Sequence, residues 1–244
     1  MDTAGEFRAR ILVSAAGALA DPTYPDIAGL DTFAGTVMHS ARWDAEHDLA
    51  GEKVAVIGTG APAIQVVPAI QPVVESLAVY QRTPAWVVPR TDHPVAPWMR
   101  RLYRSLPGFQ KAVRGGLYAF REFLVIGMAK NRRFLEPVGK LAAKHLEHQV
   151  RDPELRAALT PDYTIGCKRI LISNDYFPAV SAPNAELVTA GIAEVRPHSI
   201  VTRDGVERPT DTIVLATGYI DALPAVKGEA ASFPILTKPY RLNE

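Results

Sequence analysis

Cysteine is almost absent from this 244-residue chain: Cys167 is the only one, which excludes an internal disulfide framework and a Cys-x-x-Cys redox pair. A reducing, cytoplasmic setting is the expectation that follows. An excess of charge of one sign is missing too. With 27 Lys and Arg against 26 Asp and Glu the formal net charge is +1, so no global field draws the chain to nucleic acid or an anionic membrane. No apolar run reaches the ~20 residues of a spanning helix, and the opening MDTAGEFRAR lacks the apolar middle of a secretory signal. There is no internal repeat and no low-complexity tract. What is present is the balance of a globular protein: 48% hydrophobic and 22% charged residues exclude disordered and collagen-like classes, and the length suffices for a full core.

Along the chain, ARILVSAAG (residues 9–17) reads as a short buried strand ending in small residues, followed by a loop rich in Pro, Gly and Asp. Residues 35–40 read as another short strand. KVAVIGTG (53–60) is an apolar strand running into a glycine turn, and APAIQVVPAIQPVV continues with helical spacing that Pro68 and Pro72 are expected to interrupt. SLAVYQR (76–82) closes a βαβ unit, which requires a parallel sheet. Residues from about 96 to 160 read as a helical insertion rich in Lys and Arg. Beyond Pro161 come short β signals, AELVTA, AEVRP, SIVTRD with a turn at Asp204 and Gly205, and DTIVLATGY, where the sheet is expected to resume.

Gly58-Thr59-Gly60-Ala61-Pro62-Ala63 fits G-x-G-x-x-A: a glycine for the tight turn, one for close approach to a pyrophosphate, and a small residue for helix–strand packing. Phosphate would sit at the helix N-terminus, where N–H groups and the helix dipole favour an anion. A plain glycine-rich turn is the alternative, and the flanking strands and helix favour the dinucleotide site. Pro62 is compatible with the first helical turn, at the loss of one N–H. About 20 residues on, where an NAD site places an acid on the ribose hydroxyls, stands Arg82, followed by Thr83. A guanidinium matches a 2′-phosphate, so NADP is expected over NAD; an exposed loop arginine is the alternative.

Phe33-Ala34-Gly35-Thr36-Val37-Met38-His39-Ser40-Ala41-Arg42-Trp43-Asp44 matches F-x-G-x-x-x-H-x-x-x-W-[PD] at every fixed position. On the residues alone, His39 reads as a packed linker histidine. The motif resembles the fingerprint of type I Baeyer–Villiger monooxygenases. In the same order, the glycine turn, QRTPAW (81–86), GCKR (166–169) with NDYFPAV, and LATGY (215–219) are similar to segments of that family and of flavin-containing monooxygenases, over roughly residues 7–224. The resemblance implies an FAD- and NADPH-dependent enzyme acting on a small organic substrate and O2. It implies ketone oxygenation or sulfide and amine oxidation.

Residue by residue, the resemblance implies that Phe33, Gly35, His39 and Trp43 form a motif coupling the linker to domain motion. Gly58, Thr59, Gly60, Ala61, Pro62, Gln65, Arg82, Thr83 and Lys168 would hold NADP. Ala216, Thr217 and Gly218 would form a strand end that lets backbone approach a cofactor. Arg169 would set a fixed positive charge against the flavin, where an anion forms. The alternative for Lys168 and Arg169 is a surface basic pair beside a buried cysteine, with Cys167 a packing residue.

The implied fold is α/β: a Rossmann-like NADP-binding domain (47–210) with a parallel sheet and a helical insertion, between parts of a flavin-binding domain (1–46 and 211–244). No G-x-G-x-x-G lies upstream of residue 58, so the flavin glycine turn and an active-site aspartate of the family are expected to be missing, and the chain reads as a fragment, an artificially short gene product or one half of a split protein. An NADP-binding module without chemistry is therefore the second reading. A disulfide reductase is disfavoured by the missing cysteine pair. Between residues 96 and 150 eleven Lys or Arg face three Glu, which reads as a solvated helix face or, more sharply, a membrane-interface surface. Leu117, Phe120, Phe123, Leu124 and Met128 are expected to pack on the sheet or line a tunnel.

Overall fold

The computed structural model describes residues 21–92, 94–129 and 132–219. The strand expected at residues 9–17 and everything after Tyr219 lie outside them. The chain divides into two compact units. Of the first, formed from the two chain ends, residues 21–24, 218 and 219 are described: Pro22 and Tyr219 form an antiparallel bridge, and Thr23 N–H donates to the Gly218 carbonyl at 2.9 Å.

The second unit, Pro25–Thr217, begins with β1 (Thr36–His39), β2 (Lys53–Ile57), α1 (Ala63–Ile70) and β3 (Ser76–Tyr80). A two-residue strand β4 (Val87–Val88) precedes four helices, α2 (Pro97–Ser105), α3 (Pro107–Ala129), α4 (Glu136–Gln149) and α5 (Pro153–Leu159). Then come β5 (Leu171–Ile172), α6 (Tyr176–Val180), β6 (Ala185–Val188), β7 (Ile192–Arg196), β8 (Ser199–Thr202), β9 (Glu207–Pro209) and β10 (Thr212–Leu215). The main sheet is wholly parallel in the order β1-β10-β2-β3-β6, and β4 and β5 form a separate parallel pair. The sheet runs across positions 46/47 and 210/211, where the sequence reading divides the chain: β1 and β10 lie in one sheet with β2, β3 and β6.

Strands β2 and β10 are apolar at nearly every position because both faces of the sheet are covered. Their alternate residues go to different cores. Val54, Val56, Leu77, Val79 and Val214 pack with Ile64, Val67 and Ile70 of α1 and with Phe177 and Val180 of α6. Ala55, Ile57, Ile213 and Leu215 pack on the opposite face with Val195 and Ile200 of β7 and β8. Each fully buried side chain of this size contributes roughly 1.5–3 kcal/mol.

Three expectations change. Helix α1 runs through Pro68 to Ile70, so Pro68 does not end it. The proline removes one N–H that would meet the Ile64 carbonyl, and the burial of Val67 and Ile70 on the sheet outweighs that loss. Next, only β6 and β10 rejoin the parallel sheet. The β7, β8 and β9 segments form an antiparallel sheet of their own, turning between β8 and β9 at Gly205 (φ 83°), because they cover the second apolar face. Arg208 of this small sheet reaches back to Glu186 of β6 through two bonds, at 2.9 and 2.6 Å.

Finally, Leu117, Phe120 and Phe123 of α3 are exposed at 60%, 60% and 46% and do not pack on the sheet. Helix α3 rests mainly on α2 and on the 3-10 turn Arg132–Leu135, where Phe123 meets Phe134 edge-on at 5.2 Å. Among the described residues no helix is long and apolar enough to cross a membrane.

Candidate functional site

Strand β2 ends at Ile57 and the chain turns sharply at Gly58, whose φ of 114° is open only to glycine at low cost. A Cβ there would stand 2.5 Å from the Ala216 carbonyl oxygen. That carbonyl is held in place, because the Ala216 N–H extends the β2–β10 ladder to the Ile57 carbonyl at 2.9 Å. Gly58 N–H donates to the Tyr80 carbonyl at 3.1 Å, fixing the turn to the end of β3 as well. Gly60 is exposed, with only Pro62 Cδ (3.8 Å) near the place a Cβ would take. Ala63 is fully buried at the helix–sheet contact, where a small residue is required.

Pro62 caps α1 in helical conformation (φ −66°), and its carbonyl accepts the Val66 N–H at 2.9 Å. Among the described residues, the N–H groups of Thr59, Gly60, Ala61 and Ala63 have no protein acceptor. They stand at the mouth of the turn, at the positive end of the α1 dipole. Gln65 folds back on the same turn, its Nε2 donating to the Ala61 carbonyl at 2.9 Å.

The loop after β3 is tied to this turn. Thr59 Oγ1 donates to the Thr83 carbonyl at 3.0 Å. Buried Gln81 donates through Nε2 to the Ala158 carbonyl (2.8 Å) and through its N–H to the Val188 carbonyl (2.8 Å). Between these two anchors Arg82 projects, exposed, with no ion-pair or hydrogen-bond partner for its guanidinium among the described residues. The loop ends in Trp86, whose indole N–H donates to the Tyr163 carbonyl at 2.9 Å. Lys168 Nζ lies 4.7 Å from the centre of the Tyr163 ring. Burial, the largest cause, pushes the Tyr163 phenol above its ordinary pKa, opposed by its contact with the Trp86 backbone. The Arg82 and Lys168 segments are thus joined through Trp86 and Tyr163, and the pairing of β4 with β5 continues the connection: Leu171 N–H donates to the Trp86 carbonyl at 2.8 Å.

Arg169 and Cys167 are both exposed on the same segment. This corrects the expectation of a buried, packing cysteine. Ile165 is buried beside Gly139 of α4, and after the turn at Gly166 (φ 87°) the next three residues are exposed. His39, at the end of β1, is 1% exposed, and its Nδ1 accepts the Ala41 N–H at 3.0 Å. Gly35 is required by close packing, since a Cβ would collide with the Asp211 carbonyl and the Phe33 ring. Phe33 packs against the core on the β7–β8 face, whereas Trp43 is 40% exposed. Ala216 is buried and Thr217 half-buried; Gly218 is left-handed (φ 86°) with open space at its Cβ position. The sequence marked Gln81 and Trp86 only as the ends of the QRTPAW segment and Tyr163 not at all, because their anchoring partners lie 77 residues away (Gln81 and Trp86) or depend on one ring placement.

A family model described as flavin-binding monooxygenase-like matches residues 7–233. A Baeyer-Villiger monooxygenase of Streptomyces coelicolor is 51% identical over 215 residues, covering 88% of this chain and 41% of that protein. A Baeyer-Villiger monooxygenase of Pseudomonas aeruginosa is 46% identical over 222 residues, covering 91% of this chain and 42% of that protein. The crystal structure of cyclohexanone monooxygenase from Rhodococcus sp. Phi1 bound to NADP+ superposes with a TM-score of 0.70 at 30% identity, over 84% of this chain and 45% of that one. The chain therefore spans about two fifths of the length of the curated relatives it matches.

Proposed function

Because the chain belongs to the flavin-binding monooxygenase-like family, we propose that it carries the NADPH-binding part of an FAD- and NADPH-dependent monooxygenase that oxygenates ketones or oxidises sulfides and amines. The observation that carries this reading is the glycine turn at the head of α1, with its outward N–H groups, tied by the Thr59–Thr83 bond to a loop presenting Arg82. The residues suit a nucleotide diphosphate: Gly60 leaves room for close approach, and a Cβ at Gly58 would disrupt the turn. The Arg82 fork suits a 2′-phosphate, which it can meet through two charge-assisted bonds. Lys168 adds a second cation on the connected segment.

When bound, NADPH supplies a hydride, and FAD supplies the site at which oxygen is activated for transfer to a small organic substrate. This chain's own residues bind and orient. The amides of Gly60, Ala61 and Ala63 hold the diphosphate, Thr59 and Gln81 keep the Arg82 loop in register with it, and Arg169 adds an exposed positive charge beside Lys168. His39, buried at the end of β1, fixes the turn that follows by accepting the Ala41 N–H. Among the described residues no second G-x-G turn opens an α-helix, and these residues form no cradle for a flavin diphosphate.

Titration of the purified chain with NADPH and NADH tests the reading. NADPH is expected to bind at least about tenfold more tightly, the equivalent of one charge-assisted interaction; equal affinities contradict it. The second reading, a nucleotide-binding module without chemistry, is favoured by there being one G-x-G turn at the head of an α-helix among the described residues. It predicts NADPH binding but no NADPH oxidation in air when FAD is supplied.

A further inference from the structure

We propose that Tyr163 is a positioning residue for cofactor selectivity: it joins the two cationic segments so that Arg82 and Lys168 meet one 2′-phosphate together. The inference rests on the reading that these two side chains face that phosphate, and it adds what holds them there. Arg82 and Lys168 are 86 positions apart in the chain, and both are long, exposed side chains that lose much rotational freedom when fixed. Two independent contacts of Tyr163 reduce that cost. Its carbonyl accepts the indole N–H of Trp86 at 2.9 Å, which fixes the far end of the Arg82 loop. The near end is already fixed by Gln81 and by the Thr59–Thr83 bond. The ring of Tyr163 holds the Lys168 ammonium at 4.7 Å, within the range at which a cation is drawn to an aromatic face.

The backbone and the side chain of one residue therefore act on the two segments separately. Removing the ring releases Lys168 and leaves the loop anchored; removing the indole N–H releases the loop and leaves Lys168 on its ring. A residue that only filled space would show neither pattern.

The probes are 2′,5′-ADP and 5′-AMP, which differ only in the 2′-phosphate, with affinities measured by calorimetry. Tyr163→Leu is expected to weaken 2′,5′-ADP about two- to fivefold, the worth of one partly exposed cation–aromatic contact, and to leave 5′-AMP unchanged. Tyr163→Phe, which keeps the ring, is expected to match the wild type. In a Lys168→Ala background Tyr163→Leu is expected to add no further loss, because the contact it removes is already gone. Trp86→Phe is expected to weaken 2′,5′-ADP selectively as well, and stands in for Tyr163→Leu if that variant does not fold.

Full retention of 2′,5′-ADP affinity in Tyr163→Leu, or in Trp86→Phe where it stands in, overturns the inference. So do equal losses for both probes, and an undiminished loss in the Lys168→Ala background. If the wild type itself does not prefer 2′,5′-ADP, the underlying reading of the site fails; if it does and Arg82→Ala abolishes the preference while Tyr163→Leu does not, only the inference fails.

Discussion

The two glycines of the turn separate folding from binding, and substituting each with alanine makes that separation measurable. At Gly58 an alanine must hold a φ of 114°, which costs about 1–3 kcal/mol for a residue with a side chain. Its Cβ also stands 2.5 Å from the Ala216 carbonyl oxygen, which cannot retreat without opening the β2–β10 ladder. Forcing atoms into packed backbone adds a further ~1–3 kcal/mol. Gly58→Ala is therefore expected to lower the unfolding free energy by about 2–6 kcal/mol, a large share of the ~5–15 kcal/mol of an ordinary domain. At Gly60 the nearest atom to an added Cβ is Pro62 Cδ at 3.8 Å, an ordinary contact, so Gly60→Ala is expected to change stability by less than about 1 kcal/mol. The added methyl does, however, stand where the diphosphate must approach, so nucleotide affinity should fall. Urea unfolding followed by circular dichroism gives the midpoint of each variant, and NADPH titration gives the affinity. A neutral Gly58→Ala, or a Gly60→Ala protein that binds NADPH like the wild type, refutes the reasoning.

Further outcomes follow from the same contacts. Leu77→Ala, at a side chain 1% exposed between sheet and α1, should cost about 2–5 kcal/mol in urea unfolding, and a smaller loss would mean that the site collapses freely. The hydrogen bond from Arg208, the largest cause, holds the Glu186 carboxyl below its ordinary value of 4.5. The depressed value means that stabilisation is present above 4.5 and is lost as pH falls through the lower folded-state value. Wild type and Glu186→Gln should thus differ in stability above that value and converge in acid; because Glu186 is 56% exposed on its side chain, the difference should stay below about 1 kcal/mol. A gap that persists in acid would assign the effect elsewhere.

Much of the βαβ unit was legible because its signals are local. An apolar run buried on both faces, a glycine pair and an apolar helical stripe lie within residues 53–80, and the strands and helix form there. Sheet order was not legible, since β10 inserts between β1 and β2 by a pairing of residues more than 150 positions apart, which no window of sequence contains. Nor could alternating β signals at residues 185–215 say which strands join the parallel sheet and which cover its face. Pro68 misled because helix-breaking propensity is weak beside burial of Val67 and Ile70. Cys167 misled because residue type favours burial, whereas the three residues after the left-handed Gly166 are exposed. At the site, Gly58, Gly60 and Arg82 were readable as a pattern, while the Trp86–Tyr163–Lys168 connection exists only once the chain has folded.

The most direct test of the central claim is a crystal structure of this chain with NADP+ bound. The diphosphate is predicted within hydrogen-bond distance of the Gly60, Ala61 and Ala63 amides, with the 2′-phosphate on the Arg82 guanidinium. A nucleotide bound elsewhere, or a 2′-phosphate turned away from Arg82, would contradict the account.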